Sequence, residues 1–183
     1  MKIKQIDVFQ LDLPYSGGIY LLSGGREYSF FDATIVRVLT DSGIEGWGES
    51  TAHAKGVRAG IDEIAPSLLG KDPRHLDRIN EVMDNALVGH NHAKTPLDVA
   101  CWDIFGKSVE MPVCDLLGGN TNEPLPLISS IHAGEPDDMR ERVKRHRDLG
   151  YRGHSIKLGD DPHDNANRIE ACLADRKSGE YFI

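Results

Sequence analysis

The sequence lacks the features that define several large protein classes. Its 183 residues contain only three cysteines, which follow neither a disulfide framework nor a metal-binding spacing. No apolar run reaches membrane-spanning length and no signal-peptide pattern is present, so we expect no membrane partner. The 21 basic residues are outnumbered by 29 acidic ones, and the formal charge of −8 argues against nucleic acid as a partner. We expect a globular protein of the reducing cytoplasm.

The sequence does contain strand patterns near its start. Residues 3–13 alternate between apolar and polar side chains, and residues 34–40 are rich in β-branched side chains. Residues 41–43, Asp-Ser-Gly, favour a tight turn, after which residues 44–49 return as a partner strand. These patterns predict a small antiparallel meander. The glycine-rich stretch of residues 16–26 is expected to be a mobile loop.

Helical patterns follow the meander. Apolar residues recur at spacings of three and four over residues 61–69, 76–87 and 97–105, which predicts three amphipathic helices. Pro96 is suited to the first turn of the third helix. Residues up to Glu123 are therefore expected to form an α+β arrangement of a sheet followed by a helical bundle.

After Glu123 the pattern changes to strands that alternate with helices. The predicted elements are strands over 125–131, 153–158 and 181–183, with amphipathic helices over 136–149 and 164–176 between them. This spacing is typical of βαβ units with parallel strand pairing. Two and a half such units cannot close a barrel, so we expect an incomplete α/β barrel, truncated in its third strand.

Lys157 is the candidate residue for chemistry in the second of these strands. Alternation places Ser155 and Lys157 on one face of the strand and His154 on the other. Gly159 marks the strand end, so Lys157 is expected near the carboxyl rim, where α/β barrels carry their active sites. A lysine in a confined site favours its neutral amine and can accept protons. The strand pattern alone leaves open a rim lysine that pairs with a carboxylate.

A series of motifs then occurs in a familiar order. These motifs are Gly46-Trp47-Gly48-Glu49, the segment Asp98 to Lys107, and the segment Pro112 to Gly119 that ends in Leu-Leu-Gly-Gly. In this order and spacing they resemble the enolase superfamily, specifically its mandelate racemase/muconate lactonizing enzyme branch. Within that branch, the segments 22–27, 88–94, 128–131 and 151–157 are most similar to the cis-3-hydroxy-L-proline dehydratases.

The resemblance implies a fold and a reaction. Residues 1–123 would be an N-terminal capping (lid) domain, and residues 124–183 the start of a TIM-type barrel. Lys157 would be the base that removes the proton next to a substrate carboxylate. Mg²⁺ would stabilise the resulting charge, but the family's carboxylate ligands belong to later barrel strands, beyond Ile183, so no metal ligand is assigned.

The resemblance also implies a set of substrate contacts. The expected substrate-binding residues are Ser155, Ser129 on the first barrel strand, and Tyr20 and Ser23 in the glycine-rich lid stretch. Ser130, next to Ser129, could also contact substrate from that strand. The second lid segment, after Glu49, is shorter than in relatives, which bears on water exclusion.

The implied activity is dehydration of cis-3-hydroxy-L-proline by a homo-oligomeric enzyme that acts on a small-molecule carboxylate. One alternative is a 2-epimerase or racemase of a proline derivative, which begins by removing the same proton. The other alternative, from a different class, is a non-catalytic truncated fragment that lacks the metal site.

Overall fold

The structure, a computed structural model, describes residues 1–16, 18–22, 26–50 and 56–183. The strands are β1 (Ile3–Pro14), β2 (Tyr20–Leu22), β3 (Arg26–Tyr28), β4 (Phe30–Thr40), β5 (Glu45–Glu49), β6 (Ile128–Ile131), β7 (Gly153–Ile156) and β8 (Tyr181–Phe182). The helices are α1 (Val57–Leu68), α2 (Leu76–Ala86), α3 (Asn91–Ser108), α4 (Val113–Leu116), α5 (Pro136–Asp148) and α6 (Pro162–Leu173). Within the described ranges, no helix is both long enough and apolar enough to cross a membrane.

The chain divides into two compact units. The first unit comprises residues 1–13 and 31–121, and the second comprises residues 14–30 and 122–183. The predicted division at residues 123 and 124 lies close to the second junction, but residues 14–30 group with the second unit. An antiparallel sheet with helices, together with a partial parallel sheet, confirms the predicted fold class.

The first unit is a three-stranded sheet with helices packed on it. The strand order is β1-β4-β5, and β4 pairs with β5 in antiparallel fashion, as the Asp-Ser-Gly turn predicts. The core contains the buried side chains of the sheet, such as Val36 and Val38, and those of α1, α2 and α3, such as Ile61, Ile79 and Leu97. Burial of the predicted apolar stripes is therefore what holds the helices on the sheet.

The glycines of the Gly46-Trp47-Gly48 motif let β5 lie directly against α3. A Cβ atom on Gly46 would overlap the backbone carbonyl of Ala100, and one on Gly48 would overlap the carbonyl of Pro96. Any side chain at either position would push the strand away from the helix. The motif is thus explained by a close backbone approach inside the first unit.

Helix α3 begins earlier than the sequence predicts. Its first residue is Asn91, so Pro96 lies inside the helix instead of in its first turn. A proline in this position cannot donate to the carbonyl of His92, four residues before it. The Ser50 hydroxyl donates to that carbonyl instead, at 2.7 Å. A side chain that is distant in the sequence thus replaces the missing helical hydrogen bond.

The second unit contains a parallel sheet of order β6-β7-β8. The predicted parallel pairing is therefore confirmed. Helices α5 and α6 cover one face, where Ile131, Met139, Val143 and Cys172 form a buried cluster. The first strand is shorter than predicted: it begins at Ile128, and Leu125 is 82 % exposed.

Candidate active site

The two faces of β6 and β7 have different surroundings. In the parallel register, Ser129 pairs with His154 and Ser130 pairs with Ser155. Ile131 belongs to the core under the helices, so Ser129, two residues before it, shares that helix-covered face. Ser130 and Ser155 therefore belong to the opposite face, which the two helices do not cover.

Lys157 directly follows β7 on the face of Ser155. Its backbone N–H donates to the carbonyl of Ile131 at 2.8 Å, which continues the strand ladder one residue further. Its Nζ donates to the Ser155 hydroxyl at 3.0 Å, and the side chain is half-buried. The hydrogen-bond partner of the Lys157 amine is thus a hydroxyl, whereas the alternative left open by the strand pattern was a lysine paired with a carboxylate. The structure brings Lys157 and Ser155 together, as the alternation predicts.

Tyr20 reaches the same face of the sheet from a hairpin. Strands β2 and β3 pair in antiparallel register, with Tyr20 opposite Tyr28. The expected mobile loop over residues 16–26 is therefore wrong for residues 20–22 and 26. The Tyr20 hydroxyl lies 3.1 Å from the Ser130 hydroxyl, within hydrogen-bonding distance. Its ring stacks on Tyr15, with centroids 5.5 Å apart. Ser23, the other residue predicted in this stretch, lies outside the described residues.

The position of Ser129 corrects the expectation that it contacts substrate. Its side chain is 4 % exposed, and its hydroxyl forms a 2.7 Å hydrogen bond with Nδ1 of the fully buried His154. Burial lowers the pKa of His154, which favours a neutral ring. Ser129 is held on the helix-covered face because Ile131 must be buried there. Ser130, the other serine expected to contact substrate from this strand, lies on the uncovered face.

His132 belongs to this face and is absent from the residues predicted from the sequence. It follows β6 and continues the alternation of Ile128 and Ser130. Its ring meets that of Tyr20 edge to face, with centroids 5.9 Å apart and an interplanar angle of 72°. Burial first, and the nearby Arg142 second, lower the pKa of His132. The alternation of residues 128–132 could have indicated it.

The described residues do not supply a metal site. Across residues 1–16, 18–22, 26–50 and 56–183, no group of three or more His, Cys, Asp or Glu side chains could hold a metal ion. The donor set that Mg²⁺ prefers, several convergent oxygens, is therefore not found in this part of the chain. The lid segment after Glu49 is described only at Ser50, because residues 51–55 lie outside the described ranges.

Together these features define a protein that joins an α+β unit to parallel βα units with a lysine at the carboxyl edge of the sheet. Residues 30–118 match the family model for the mandelate racemase / muconate lactonizing enzyme N-terminal domain. These similarities to enzymes of that branch of the enolase superfamily confirm the resemblance seen in the motifs.

Relatives in this branch carry several activities. The chain is 39 % identical to the cis-3-hydroxy-L-proline dehydratase of Roseibium aggregatum, over 100 % of this chain and 52 % of the relative. It is 32 % identical to the N-succinyl-L-Arg/Lys racemase of Bacillus cereus, over 93 % of this chain and 48 % of the relative. The chain also resembles the crystal structure of an enolase superfamily member from Roseovarius nubinhibens ISM complexed with magnesium. The sequence identity is 43 % and the TM-score is 0.85, over 99 % of this chain and 51 % of that protein. The chain spans about half the length of the curated relatives it matches.

Proposed function

We propose that the full-length protein removes the proton next to a substrate carboxylate, with Lys157 as the base, and that the reaction is dehydration of cis-3-hydroxy-L-proline. The observation that carries this proposal is the position of the Lys157 amine. It lies at the carboxyl edge of a parallel sheet, on the face of Ser130 and Ser155, and its bonding partner is a hydroxyl. The 39 % identical dehydratase from Roseibium aggregatum supports the choice of substrate.

The chemistry of the proposed reaction starts at Nζ of Lys157. The neutral amine takes the α-proton, and the electron pair of the broken C–H bond moves into the carboxylate to give an enediolate. As that pair returns to form a double bond between Cα and C3, the bond from C3 to its hydroxyl breaks with its electron pair on the oxygen. The oxygen takes up one proton and leaves, so the α-proton lost and the hydroxyl lost together amount to one water. The enamine product then rearranges to a cyclic imine. The Ser155 hydroxyl orients the lysine amine for the first step.

Magnesium is part of the proposal for the full-length protein only. The Roseovarius nubinhibens ISM structure is complexed with magnesium. The described residues form no cluster able to hold such an ion, so no ligand is assigned among them. We further propose a cytoplasmic homo-oligomer that acts on a small carboxylate. The three free cysteines support the proposed cytoplasmic location.

The proposed contacts to substrate are Lys157, Ser155, Tyr20 and Ser130, whereas the buried Ser129 is no longer among them. Ser130 is supported by its shared register with Ser155 and by the 3.1 Å contact with the Tyr20 hydroxyl. Ser23 stays in the proposal on the resemblance alone.

A 2-epimerase or racemase is the second candidate. The Bacillus cereus relative, an N-succinyl-L-Arg/Lys racemase, is 32 % identical to this chain. Both reactions begin with removal of the α-proton, so the residues around Lys157 suit either. The fate of the substrate's hydroxyl separates the two.

The test is incubation of the full-length protein with cis-3-hydroxy-L-proline and Mg²⁺ in D₂O. We expect loss of the hydroxyl, and we expect Lys157→Ala to abolish the reaction. Lys144→Ala is the control, because Lys144 is an exposed lysine on α5 in the same unit. Deuterium exchange with the hydroxyl retained would favour the epimerase. Full activity in Lys157→Ala would end the role of Lys157.

A further inference from the structure

His132 occupies the position beside Lys157 on the neighbouring strand. Ser130 pairs with Ser155, and one more step of two residues along each strand leads to His132 and Lys157. The hydrogen bond from the Lys157 N–H to the Ile131 carbonyl shows that the ladder continues over this step. Paired residues of parallel strands lie about 4.8 Å apart and direct their side chains to the same face. His132 therefore belongs to the face of Lys157.

The imidazole of His132 is held in place by its neighbours. Tyr20 contacts it edge to face at 5.9 Å, and the Tyr20 hydroxyl contacts Ser130 at 3.1 Å. The His132 carbonyl accepts a hydrogen bond from Nη1 of Arg142 at 3.3 Å, which fixes the backbone where β6 ends. Burial and Arg142 both lower the pKa of the ring. A neutral imidazole carries one hydrogen-bond donor and one acceptor.

Building on the function proposed above, we propose that His132 is a specificity-determining residue whose imidazole binds the hydroxyl group of the substrate beside the carbon that Lys157 deprotonates. A hydroxyl group donates one hydrogen bond and accepts others, which matches a neutral imidazole. A substrate carboxylate, in contrast, would call for a cationic partner. His132 offers both roles at the register position next to Lys157, with its ring fixed against Tyr20.

The experiment compares substrates with and without the hydroxyl. In the full-length protein, His132→Phe removes both ring nitrogens but keeps an aromatic ring for Tyr20, and His132→Asn keeps a donor and an acceptor. We would measure kcat/KM for cis-3-hydroxy-L-proline and the inhibition constant of L-proline, which lacks the hydroxyl. His163→Phe, at an exposed histidine of α6, is the matched control.

We expect His132→Phe to lower kcat/KM by about tenfold, the effect of one hydrogen bond, while the inhibition constant of L-proline changes by less than about twofold. His132→Asn should recover part of the loss, and His163→Phe should change neither value. Equal effects of His132→Phe on both molecules, or no effect on either, would overturn the role of His132 and leave the proposed dehydration intact. A wild-type protein that does not consume cis-3-hydroxy-L-proline would overturn both.

Discussion

The Arg147 guanidinium and the Glu180 carboxylate contact each other at two points inside the second unit. Nε of Arg147 donates to Oε1 at 2.5 Å and Nη2 donates to Oε2 at 3.0 Å. The two side chains are only 9 % and 4 % exposed. Glu180 also accepts a hydrogen bond from the backbone N–H of Lys177 at 2.9 Å. This ion pair connects helix α5 to the residue that precedes β8.

Removal of the cation from this pair should destabilise the protein strongly. Arg147→Met leaves the Glu180 carboxylate buried without its partner, and we expect the free energy of unfolding to fall by about 3 kcal/mol. Urea denaturation followed by circular dichroism measures the loss. The control is Arg140→Met, since the Arg140–Asp175 pair is 46 % and 53 % exposed and should contribute less than about 1 kcal/mol. Equal losses in the two variants would contradict the prediction.

The same pair should make the stability dependent on pH in the acid range. The Arg147 hydrogen bond lowers the pKa of Glu180 from its ordinary 4.5 to about 2. Because the folded state holds the carboxylate ionised, its contribution is complete above about pH 4.5 and is lost as the pH falls towards 2. The hydrogen bond from Arg74 gives Asp72 a similar pKa of about 2, and hydrogen bonds from Gln5 and Arg37 lower the pKa of Asp7, so these carboxylates also act in the acid range.

Denaturation curves between about pH 6 and pH 2 measure this dependence. We expect Glu180→Gln to be less stable than the wild type at neutral pH but to lose less stability on acidification, with Asp72 responsible for part of the remaining slope. Identical slopes in the two proteins would show that Glu180 does not titrate in the expected window.

Gly48→Ala should disrupt the contact between β5 and α3. The added methyl group would overlap the Pro96 carbonyl, which is backbone and cannot move aside, so we expect a loss of about 3 kcal/mol in the free energy of unfolding. Gly159→Ala is the comparison. There, the nearest atom is the end of the flexible Arg168 side chain, at 3.0 Å, and the cost should stay below about 1 kcal/mol. A tolerated Gly48→Ala would mean that the strand can move away from the helix.

The Tyr20–Ser130 contact should hold the β2–β3 hairpin on the sheet of the second unit. Tyr20→Phe removes the hydroxyl but keeps the ring that stacks on Tyr15, and Ser130→Ala removes the other partner. We expect each change to speed amide hydrogen exchange in the hairpin by up to about tenfold, the effect of one hydrogen bond. The double variant should exchange no faster than either single one. Additive effects would show that the two hydroxyls act separately.

The parts of the fold that depend on local patterns could be predicted from the sequence. The meander, the amphipathic helices and the shared face of Ser155 and Lys157 follow from spacing along one segment. The start of α3 could not be predicted, because the hydroxyl that bonds the carbonyl left free by Pro96 belongs to Ser50, which is distant in the sequence. The hairpin was missed because its strands are three residues long and lie in a glycine-rich stretch.

The sequence also cannot show which of two neighbouring serines faces the helices. Ser129 and Ser130 are identical residues, and only the burial of Ile131 and the hydrogen bond to His154 decide which of them faces the helices. His132 is different, because the alternation of residues 128–132 already places it on the face of Ser130. The register to β7 adds that it lies beside Lys157.

The separation of the two faces makes this site convenient to redesign. Ser130, His132 and Ser155 share the face that the helices leave uncovered, whereas Ser129 and His154 lie in the packed layer beneath α5 and α6. A combinatorial library restricted to the first three positions would vary the proposed substrate-binding face with little cost to folding. The same number of changes in the packed layer would mainly yield insoluble protein.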